Sequence, residues 1–199
     1  MYKKGIERRN RLISAAVELL GSEEVEKITL SRIAAEAGIP SASAYHFFSN
    51  ANDVFQAAAR RFGHELLASI CDDYSDEHLG TWQDLFSAGI DRGVELYRAT
   101  PAYRQLILGA GTPPAVKVSD LESDAKIGFA FAQVLKRYFV LPKVPRLSER
   151  VFYAVEIVDM FFTLSFIYSG RITDEAVAEA KVAAVAYLER YLGCGAPRR

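Results

Sequence analysis

Small polar side chains follow a predicted tight turn within residues 29–48. Ser41 and Ser43 stand at the start of a predicted short helix, with Ala42 between them. A slim helix can enter the major groove of double-stranded DNA, which is about 12 Å wide. The N-terminal residues of such a helix then face the base edges. We therefore expect the two hydroxyl groups to contact bases, and Ala42 to keep this end of the helix slim.

Four further side chains are candidates for contacts with the DNA backbone: Thr29, Arg32, Tyr45 and His46. Tyr45 and His46 close the short helix with side chains long enough to reach a phosphate. Thr29 is a helix cap whether or not it also touches phosphate, and Tyr45 has the alternative of packing in the core. For His46 we favour a surface or phosphate contact over general-base catalysis.

The elements around these side chains form a helix, a sharp turn and a second helix. Thr29 can begin the first helix, and Ala34 stands where the two helices would cross. Gly38 supplies a turn residue that adopts positive φ without steric cost, and Ile39 is expected to fill the space inside the turn. Such an arrangement is typical of helix-turn-helix DNA readers.

The segment resembles the TetR family of regulators, whose pattern reads T-x-x-x-I-A-x-x-A-G-V-S-x-x-x-x-Y-x-x-F. The matching positions are Thr29, Ile33, Ala34, Ala37, Gly38, Ile39, Tyr45 and Phe48, and the detailed resemblance covers residues 6–62. The resemblance implies a phosphate contact at Thr29 and Tyr45 and base contacts at Ser41, Ala42 and Ser43. Two positions depart from the family: Ser41 replaces a frequent Arg, and Ala51 replaces the usual Lys that begins the fourth helix. Arg8, Arg9, Arg11 and Arg32 are candidates to supply the missing positive charge.

Charge and composition set limits on the class of protein. The 199 residues carry a net charge of −1, but residues 1–64 hold nine Lys/Arg against seven Asp/Glu. A cationic end on an acidic body suits a local contact with a polyanion, although a solvated N-terminus has the same composition. Cys71 and Cys194 lack the neighbours that a zinc site needs, and we expect no metal, no cofactor and a reducing cytoplasm. Glu156 and Asp159 interrupt the most apolar stretch, so we expect no membrane span.

Apolar residues recur at helical spacing along nearly the whole chain, which predicts an all-α fold of about nine helices. We expect a three-helix helix-turn-helix head at residues 1–64 and a helical ligand-binding and dimerisation bundle at residues 65–199. Within this bundle, Ser119 and Glu122 form a capping-box pattern that predicts a helix start. The tail after Leu192 is expected to fray. In the resembling family the last two helices form the dimer interface, and here they are predicted at 148–168 and 173–192.

The second region has an excess of aromatic residues, which either fill the core or line a ligand cavity. The ligand candidates are Trp82, Phe86, Tyr97, Tyr103, Phe152, Glu156 and Asp159. Glu156 and Asp159 lie one turn apart on an apolar helix, and buried carboxylates need a partner. That partner is either a cationic ligand or an arginine: Arg98, Arg104 or an arginine of a partner subunit.

These observations favour a homodimeric, ligand-responsive repressor that binds a palindromic DNA operator. Its effector would be an apolar or aromatic small molecule, with or without positive charge. One alternative is a protein-interaction module that has kept the fold and lost DNA binding. The other is an enzyme that uses the aromatic cavity, but the sequence has no Ser-His-Asp pattern, no glycine-rich phosphate loop and no His set with metal-ligand spacing.

Overall fold

The computed structural model describes residues 3–199, and this part of the chain forms nine α-helices and no β-strand. The predicted all-α fold of about nine helices is confirmed. A single isolated β-bridge pairs Phe139 with Arg198. The helices are α1 (Lys3–Leu20), α2 (Leu30–Glu36), α3 (Ser41–Ala44), α4 (Ala51–Cys71), α5 (Trp82–Ala99), α6 (Pro101–Tyr103), α7 (Pro114–Tyr138), α8 (Leu147–Ser169) and α9 (Asp174–Leu192). Short 3-10 turns lie at Val25–Lys27 and Asp76–His78, and a π-helical segment, Arg104–Leu108, continues α6.

Two compact units make up the chain. The head unit contains the residues up to Phe62 together with Ala99–Asp120, and the body unit contains Gly63–Arg98 together with Leu121–Arg199. The division at residue 64 stays a prediction. It differs from these units in the placing of Ala99–Asp120, which the sequence assigns to the second domain.

Capping side chains begin several helices, and Thr29 does so where the sequence predicts it. The Thr29 hydroxyl accepts a hydrogen bond from the Arg32 amide at 3.1 Å, and the Asn50 side chain accepts one from the Asp53 amide at 3.1 Å. The Thr81 hydroxyl accepts one from the Asp84 amide, also at 3.1 Å. These contacts satisfy amides that have no partner within the helix.

The predicted helix start at Ser119 is wrong. Helix α7 begins at Pro114, and the Pro113 carbonyl accepts the first helical hydrogen bonds, from the Val116 and Lys117 amides. Ser119 lies inside the helix and is only 1% exposed. Proline is well suited to a first helical position because its missing N–H has no helical partner to lose. A capping-box pattern inside a helix cannot be told from a true one by spacing alone.

The sequence predicts a frayed C-terminal tail, and this prediction is wrong because the tail is ordered by hydrogen bonds. The Trp82 indole N–H donates to the Gly193 carbonyl at 3.0 Å. The Val140 amide donates to the Pro197 carbonyl at 2.8 Å, and the Arg199 amide donates to the Tyr138 carbonyl at 2.8 Å. The tail therefore packs on the body unit through backbone hydrogen bonds, which composition cannot reveal.

Arg92 of α5 holds the C-terminal end of α4. Its guanidinium donates to the carbonyls of Ser69, Asp72 and Asp73 at 2.7–3.0 Å and lies 3.8 Å from the centre of the Tyr74 ring. Burial raises the pKa of Tyr74 to about 12, and its phenol donates to the Ile70 carbonyl at 2.7 Å. A cation at a helix C-terminus is also favoured by the helix dipole.

We expect Arg92→Met to lower the free energy of unfolding by about 2–3 kcal/mol, because charge-assisted hydrogen bonds are lost while the aliphatic stem is kept. Urea denaturation followed by circular dichroism measures this change. The matched control is Arg137→Met, since Arg137 forms an exposed ion pair with Asp73 at 3.3 Å, which is worth about 1 kcal/mol or less. Equal losses in the two variants would show that Arg92 is no more than a surface charge.

Candidate DNA interface and ligand cavity

The turn between α2 and α3 has the conformation that the sequence predicts. Gly38 has φ of +60°, in the left-handed region that side chains with a Cβ avoid. Ala34 is fully buried between the helices, and Ile39 is 6% exposed. Helix α3 is short, but helical hydrogen bonds continue to the Phe48 amide, which donates to the Ala44 carbonyl. The head unit thus contains a helix-turn-helix.

The short second helix presents to solvent most of the side chains chosen from the sequence. Ser41, Ala42 and His46 are exposed, and Ser43 is half-buried. Tyr45 is 56% exposed, so it is a surface residue rather than a core aromatic. The Ser41 hydroxyl lies 3.1 Å from the Ser31 hydroxyl of α2, and either can be the donor. Ser41 therefore has a contact within the motif in addition to any contact with a base.

A shallow recess joins the N-terminal ends of α2 and α4. Thr29, Tyr45 and Ala51, three positions that the family pattern assigns to phosphate, all line it. We call it the phosphate recess; its lining is Ile28, Thr29, Leu30, Tyr45, Ser49, Asn50, Ala51 and Asn52. No lysine or arginine is among these described residues. The charged group at the start of α4 is the Asp53 carboxylate, which accepts a hydrogen bond from the Ser49 amide at 2.9 Å.

Arg32 is held by two carboxylates. Its guanidinium forms ion pairs with Glu36 at 2.8 Å and Glu23 at 2.9 Å. Hydrogen bonds to Glu36 and then to Glu23 raise the pKa of Arg32 above its usual value. A phosphate contact by Arg32 would therefore compete with both carboxylates, which reduces its value as a replacement for the missing lysine at position 51.

Two arginines of α1 contact the helix-turn-helix motif. Arg11 donates to the Ala37 carbonyl at 2.5 Å, at the end of α2. The Arg9 guanidinium lies 5.0 Å from the centre of the Phe48 ring, within the range of a cation–π contact. The sequence suggests these residues only as sources of positive charge. Their contacts with the turn depend on the packing of α1, which no local pattern reveals.

We expect Arg11→Gln to lower the free energy of unfolding by about 1.5–3 kcal/mol, the usual value of a hydrogen bond from a charged group. Thermal and urea denaturation measure it. Arg8→Gln is the matched control, because Arg8 is exposed on the same helix and its substitution removes the same charge. If both variants keep the stability of the parent protein, the bond from Arg11 to Ala37 does not hold the turn.

The body unit encloses a cavity between four helices. Its volume is about 50 Å³, which is smaller than that of most small-molecule sites. Its wall is mostly apolar and includes two carboxylates, Asp124 and Asp159. The lining residues are Leu66, Ile70, Phe86, Gly89, Ile90, Gly93, Tyr97, Asp124, Ile127, Phe131, Val155, Val158, Asp159 and Phe162.

Three of the seven ligand candidates chosen from the sequence line this cavity: Phe86, Tyr97 and Asp159. Trp82, Phe152 and Glu156 are not in its wall. Trp82 is fully buried beside the C-terminal tail. Tyr103 belongs to the head unit, where its hydroxyl accepts a hydrogen bond from Arg61 at 3.1 Å and its ring packs on Phe62.

Sequence reasoning missed the part of the wall that α7 supplies. Asp124, Ile127 and Phe131 are spaced by three and four residues, so they share one face of the helix. The predicted helix from Ser119 also contains these three residues, so the signal was available in the sequence. Gly89 has a packing role, because a Cβ there would lie 2.8 Å from the Phe131 ring. Gly93 has more room, with Leu66 at 3.6 Å, and its missing side chain adds to the cavity.

Helices α8 and α9 pack together and leave an apolar surface exposed. Val182 is 65% exposed, Met160 57%, Leu164 44% and Ile167 48%. We call these four residues the α8–α9 face. Ala180 and Ala184, by contrast, are fully buried within the chain itself. The alanine-rich surface of α9 therefore serves partly the contact between α8 and α9.

Helix α8 is also long and apolar enough to cross a membrane by length and composition. That is weak evidence for a membrane span, because the core helix of a soluble protein passes the same test. Its most apolar stretch is 28% buried within the chain, and Asp159 and Ser165 are among the buried residues of this helix.

Comparison with known proteins places the two regions in one family. Residues 12–58 match the family model for "Bacterial regulatory proteins, tetR family", and residues 80–192 match the "Tetracyclin repressor-like, C-terminal domain" model. No curated protein sequence matches the chain.

Solved structures share the fold at low sequence identity. A TetR-family transcriptional regulator from Streptomyces coelicolor aligns with a TM-score of 0.72 and 21% identity, covering 93% of this chain and 99% of its own. A transcriptional regulator from Rhodococcus sp. Rha1 aligns with a TM-score of 0.68 and 18% identity, covering 93% and 97%. The multidrug binding protein EbrR, complexed with imidazole, aligns with a TM-score of 0.58 and 20% identity, covering 90% and 94%.

The family models cover both the helix-turn-helix and most of the helical body. The resemblance seen in residues 29–48 thus extends along the chain, and the shared fold agrees with it. The chain belongs to the TetR family of DNA-binding transcriptional regulators.

Proposed function

We propose that this protein is a cytoplasmic, homodimeric repressor that binds a palindromic operator and responds to a small-molecule effector. The observation that carries the proposal is the phosphate recess beside the exposed end of α3. Thr29, Tyr45 and Ala51 line this recess. Ser41 and Ala42, which precede Tyr45 in the sequence, are exposed. Base-reading and phosphate-binding positions are therefore available together on the head unit.

In this proposal the N-terminal end of α3 enters the major groove. The Ser43 hydroxyl reads base edges. The Ser41 hydroxyl does so as well, because it can form a hydrogen bond with a base in addition to its contact with Ser31. Ala42 contacts the groove through its methyl group. Thr29, Tyr45 and His46 contact phosphates, which position the head without reading sequence. The amides at the start of α4 add an attraction for phosphate through the helix dipole. Arg32 contributes only when a phosphate displaces Glu23 or Glu36.

The proposed dimer forms through the α8–α9 face. Four large apolar side chains at 44–65% exposure are unusual for a surface with no partner. A second copy of the chain would bury them in a four-helix arrangement around a two-fold axis. The symmetry of such a dimer matches that of a palindromic operator, whose half-sites lie about 34–36 Å apart.

The proposed effector is an apolar or aromatic molecule in the cavity of the body unit, with or without positive charge. EbrR, which has the same fold, is a multidrug binding protein. A molecule that binds better to a dimer with the wrong head spacing shifts the population away from DNA. The same linkage would give co-repression if the molecule favoured the correct spacing.

The test is selection of an operator from random DNA, followed by a gel-shift with the selected sequence and with DNA upstream of the protein's own coding sequence. We expect one palindromic sequence to be enriched and bound at least 10³-fold more tightly than a scrambled copy, as is usual for specific regulators. Failure to enrich any sequence would contradict the proposal.

One observation favours a second candidate, a protein-interaction module without DNA binding. No cation is among the described residues that line the phosphate recess, and Arg32 is already paired. Under that candidate no DNA sequence would be enriched and random DNA would not be bound at low salt, so the same experiment separates the two functions.

A further inference from the structure

Arg32 is the only lysine or arginine in residues 28–59, which contain the helix-turn-helix and the start of α4. It lies in the first turn of α2, where its amide donates to the Thr29 hydroxyl at 3.1 Å. Thr29 lines the phosphate recess, and the Arg32 side chain is 43% exposed. Because DNA affinity depends on the number of phosphates that cations neutralise, the contacts of this one side chain bear directly on DNA affinity.

Two carboxylates accept hydrogen bonds from all three nitrogens of the Arg32 guanidinium. Nη1 donates to Glu36 at 2.8 Å, and Nε and Nη2 donate to one oxygen of Glu23 at 3.2 and 2.9 Å. We call Arg32, Glu23 and Glu36 the arginine clamp. The clamp holds one positive and two negative charges, so it presents no net positive charge to a phosphate. Arg32 can bind a phosphate only if at least one of these contacts breaks.

The backbone of Glu23 is held from two sides. Its amide donates to the Leu19 carbonyl at 2.8 Å, and its carbonyl accepts a hydrogen bond from Gln105 Nε2 at 2.8 Å. Gln105 belongs to the π-helical segment Arg104–Leu108, which lies in the same head unit. A fixed backbone lowers the entropy that the Glu23 side chain loses when it pairs with Arg32. Gln105 is therefore placed to support the Glu23 half of the arginine clamp.

The segment that carries Gln105 packs closely on the connection between α1 and α2. The three residues that follow Gln105, 106–108, are buried. In the next loop, a Cβ at Gly111 would collide with the Glu26 carboxylate. A π-helical turn is rare and often marks a functional site. The position of the Gln105 amide is thus set by tight packing against the connection that contains Glu23.

We propose that Glu23 and Glu36 form an inhibitory clamp that keeps Arg32 from the DNA backbone and thereby limits DNA affinity, and that Gln105 is a positioning residue for Glu23. The inference rests on the proposed operator binding and adds a control of its strength within the head unit. It concerns contacts with phosphate and not the reading of bases, so it alters affinity for all DNA sequences alike.

The first test is a salt titration of the full-length protein carrying Glu23→Gln and Glu36→Gln together, with the selected operator and a scrambled copy. Freeing a cation from exposed ion pairs is worth up to about a factor of five per head. We expect both DNAs to be bound about five- to thirtyfold more tightly by the dimer. The salt slope should steepen by about 0.9 per head, because each Arg32 then neutralises one phosphate.

Adding Arg32→Gln to this double variant separates release of Arg32 from simple loss of negative charge. We expect the triple variant to lose most of the gain in affinity and in slope. A triple variant that binds as tightly as the double variant would show that the two carboxylates repel DNA directly, and the clamp would be wrong. Glu18→Gln is the matched control, because it removes an exposed carboxylate of α1 and should leave the slope unchanged.

The second test examines Gln105. Gln105→Leu removes the hydrogen bond to Glu23 and should steepen the salt slope, by less than the double variant does. In a protein that already carries Glu23→Gln it should have no further effect on the slope. Gln56→Leu is the matched control, because Gln56 Nε2 donates to a different carbonyl of the head unit, that of Ala115, at 3.2 Å. A Gln105→Leu protein with the slope of the parent would remove Gln105 from the proposal.

The outcomes separate this inference from the proposed function. If the parent protein binds DNA and the double variant shows neither tighter binding nor a steeper slope, the inhibitory clamp is wrong while operator binding remains. If neither protein binds any DNA at low salt, operator binding is wrong as well. Circular dichroism checks that each variant is folded.

Discussion

Val182→Arg should convert the protein from a dimer to a monomer and lower its affinity for a palindromic operator by about 10² to 10⁴-fold. Val182 is 65% exposed on α9, and in the proposed dimer an arginine there would bring a desolvated charge into an apolar contact. The loss in DNA affinity follows because two linked heads bind their half-sites with a high effective concentration, whereas separate heads do not. Analytical ultracentrifugation and a gel-shift with the selected operator measure the two effects.

Val118→Arg provides the matched control. Val118 is also an exposed valine, at 55%, but it lies on α7 outside the α8–α9 face. It should leave both the sedimentation coefficient and the DNA affinity unchanged. A Val182→Arg protein that stays dimeric would remove the α8–α9 face from the proposed dimer interface.

The choice of position 182 depends on the structure. From the sequence, the alanine-rich pattern of α9 instead selects Ala184 for such a test. Ala184 is fully buried within the chain, so an arginine there would disrupt the packing of the protomer itself. Its effect on oligomeric state could not be separated from unfolding.

The second large effect is expected at the start of α4. Ala51→Lys should strengthen binding to specific and random DNA alike, because a cation is added to a recess that has none among its described lining residues. Log K falls with log salt at a slope of about −0.9 per phosphate neutralised, so the slope should steepen by about one unit per head. Salt titrations against a selected operator and a scrambled copy give this slope.

Ala51→Gln is the control for position 51, since it adds length without charge and should leave the salt slope unchanged. If Ala51→Lys also leaves the slope unchanged, residue 51 does not lie at the DNA backbone and the proposed register of the head is wrong.

Substitution at Ser43 should have a different effect. Ser43→Asn should change which operator is preferred in a selection experiment, because a base-reading side chain carries sequence information and a phosphate contact does not. Equal loss of affinity for the selected and scrambled DNA would mean that Ser43 positions the head instead of reading the bases.

The sequence by itself determined the helix-turn-helix and the order of the helices. These features depend on local physics: the Thr29 cap, the positive φ at Gly38 and the repeat of apolar residues along each helix all act within a few residues of the chain. The family pattern could be recognised for the same reason, since its residues lie within one motif of twenty positions. The all-α fold followed from this local information.

Tertiary structure decided which side chains meet across distant parts of the chain. It placed Phe86, Tyr97 and Asp159 in one cavity with Asp124, and it placed Trp82 against the C-terminal tail and Tyr103 beside Arg61. It also paired Arg32 with Glu23 and Glu36. Helical periodicity tells which face of a helix is apolar, but not which neighbour covers that face. Packing between helices determines that neighbour, so only the folded chain separates cavity wall from core.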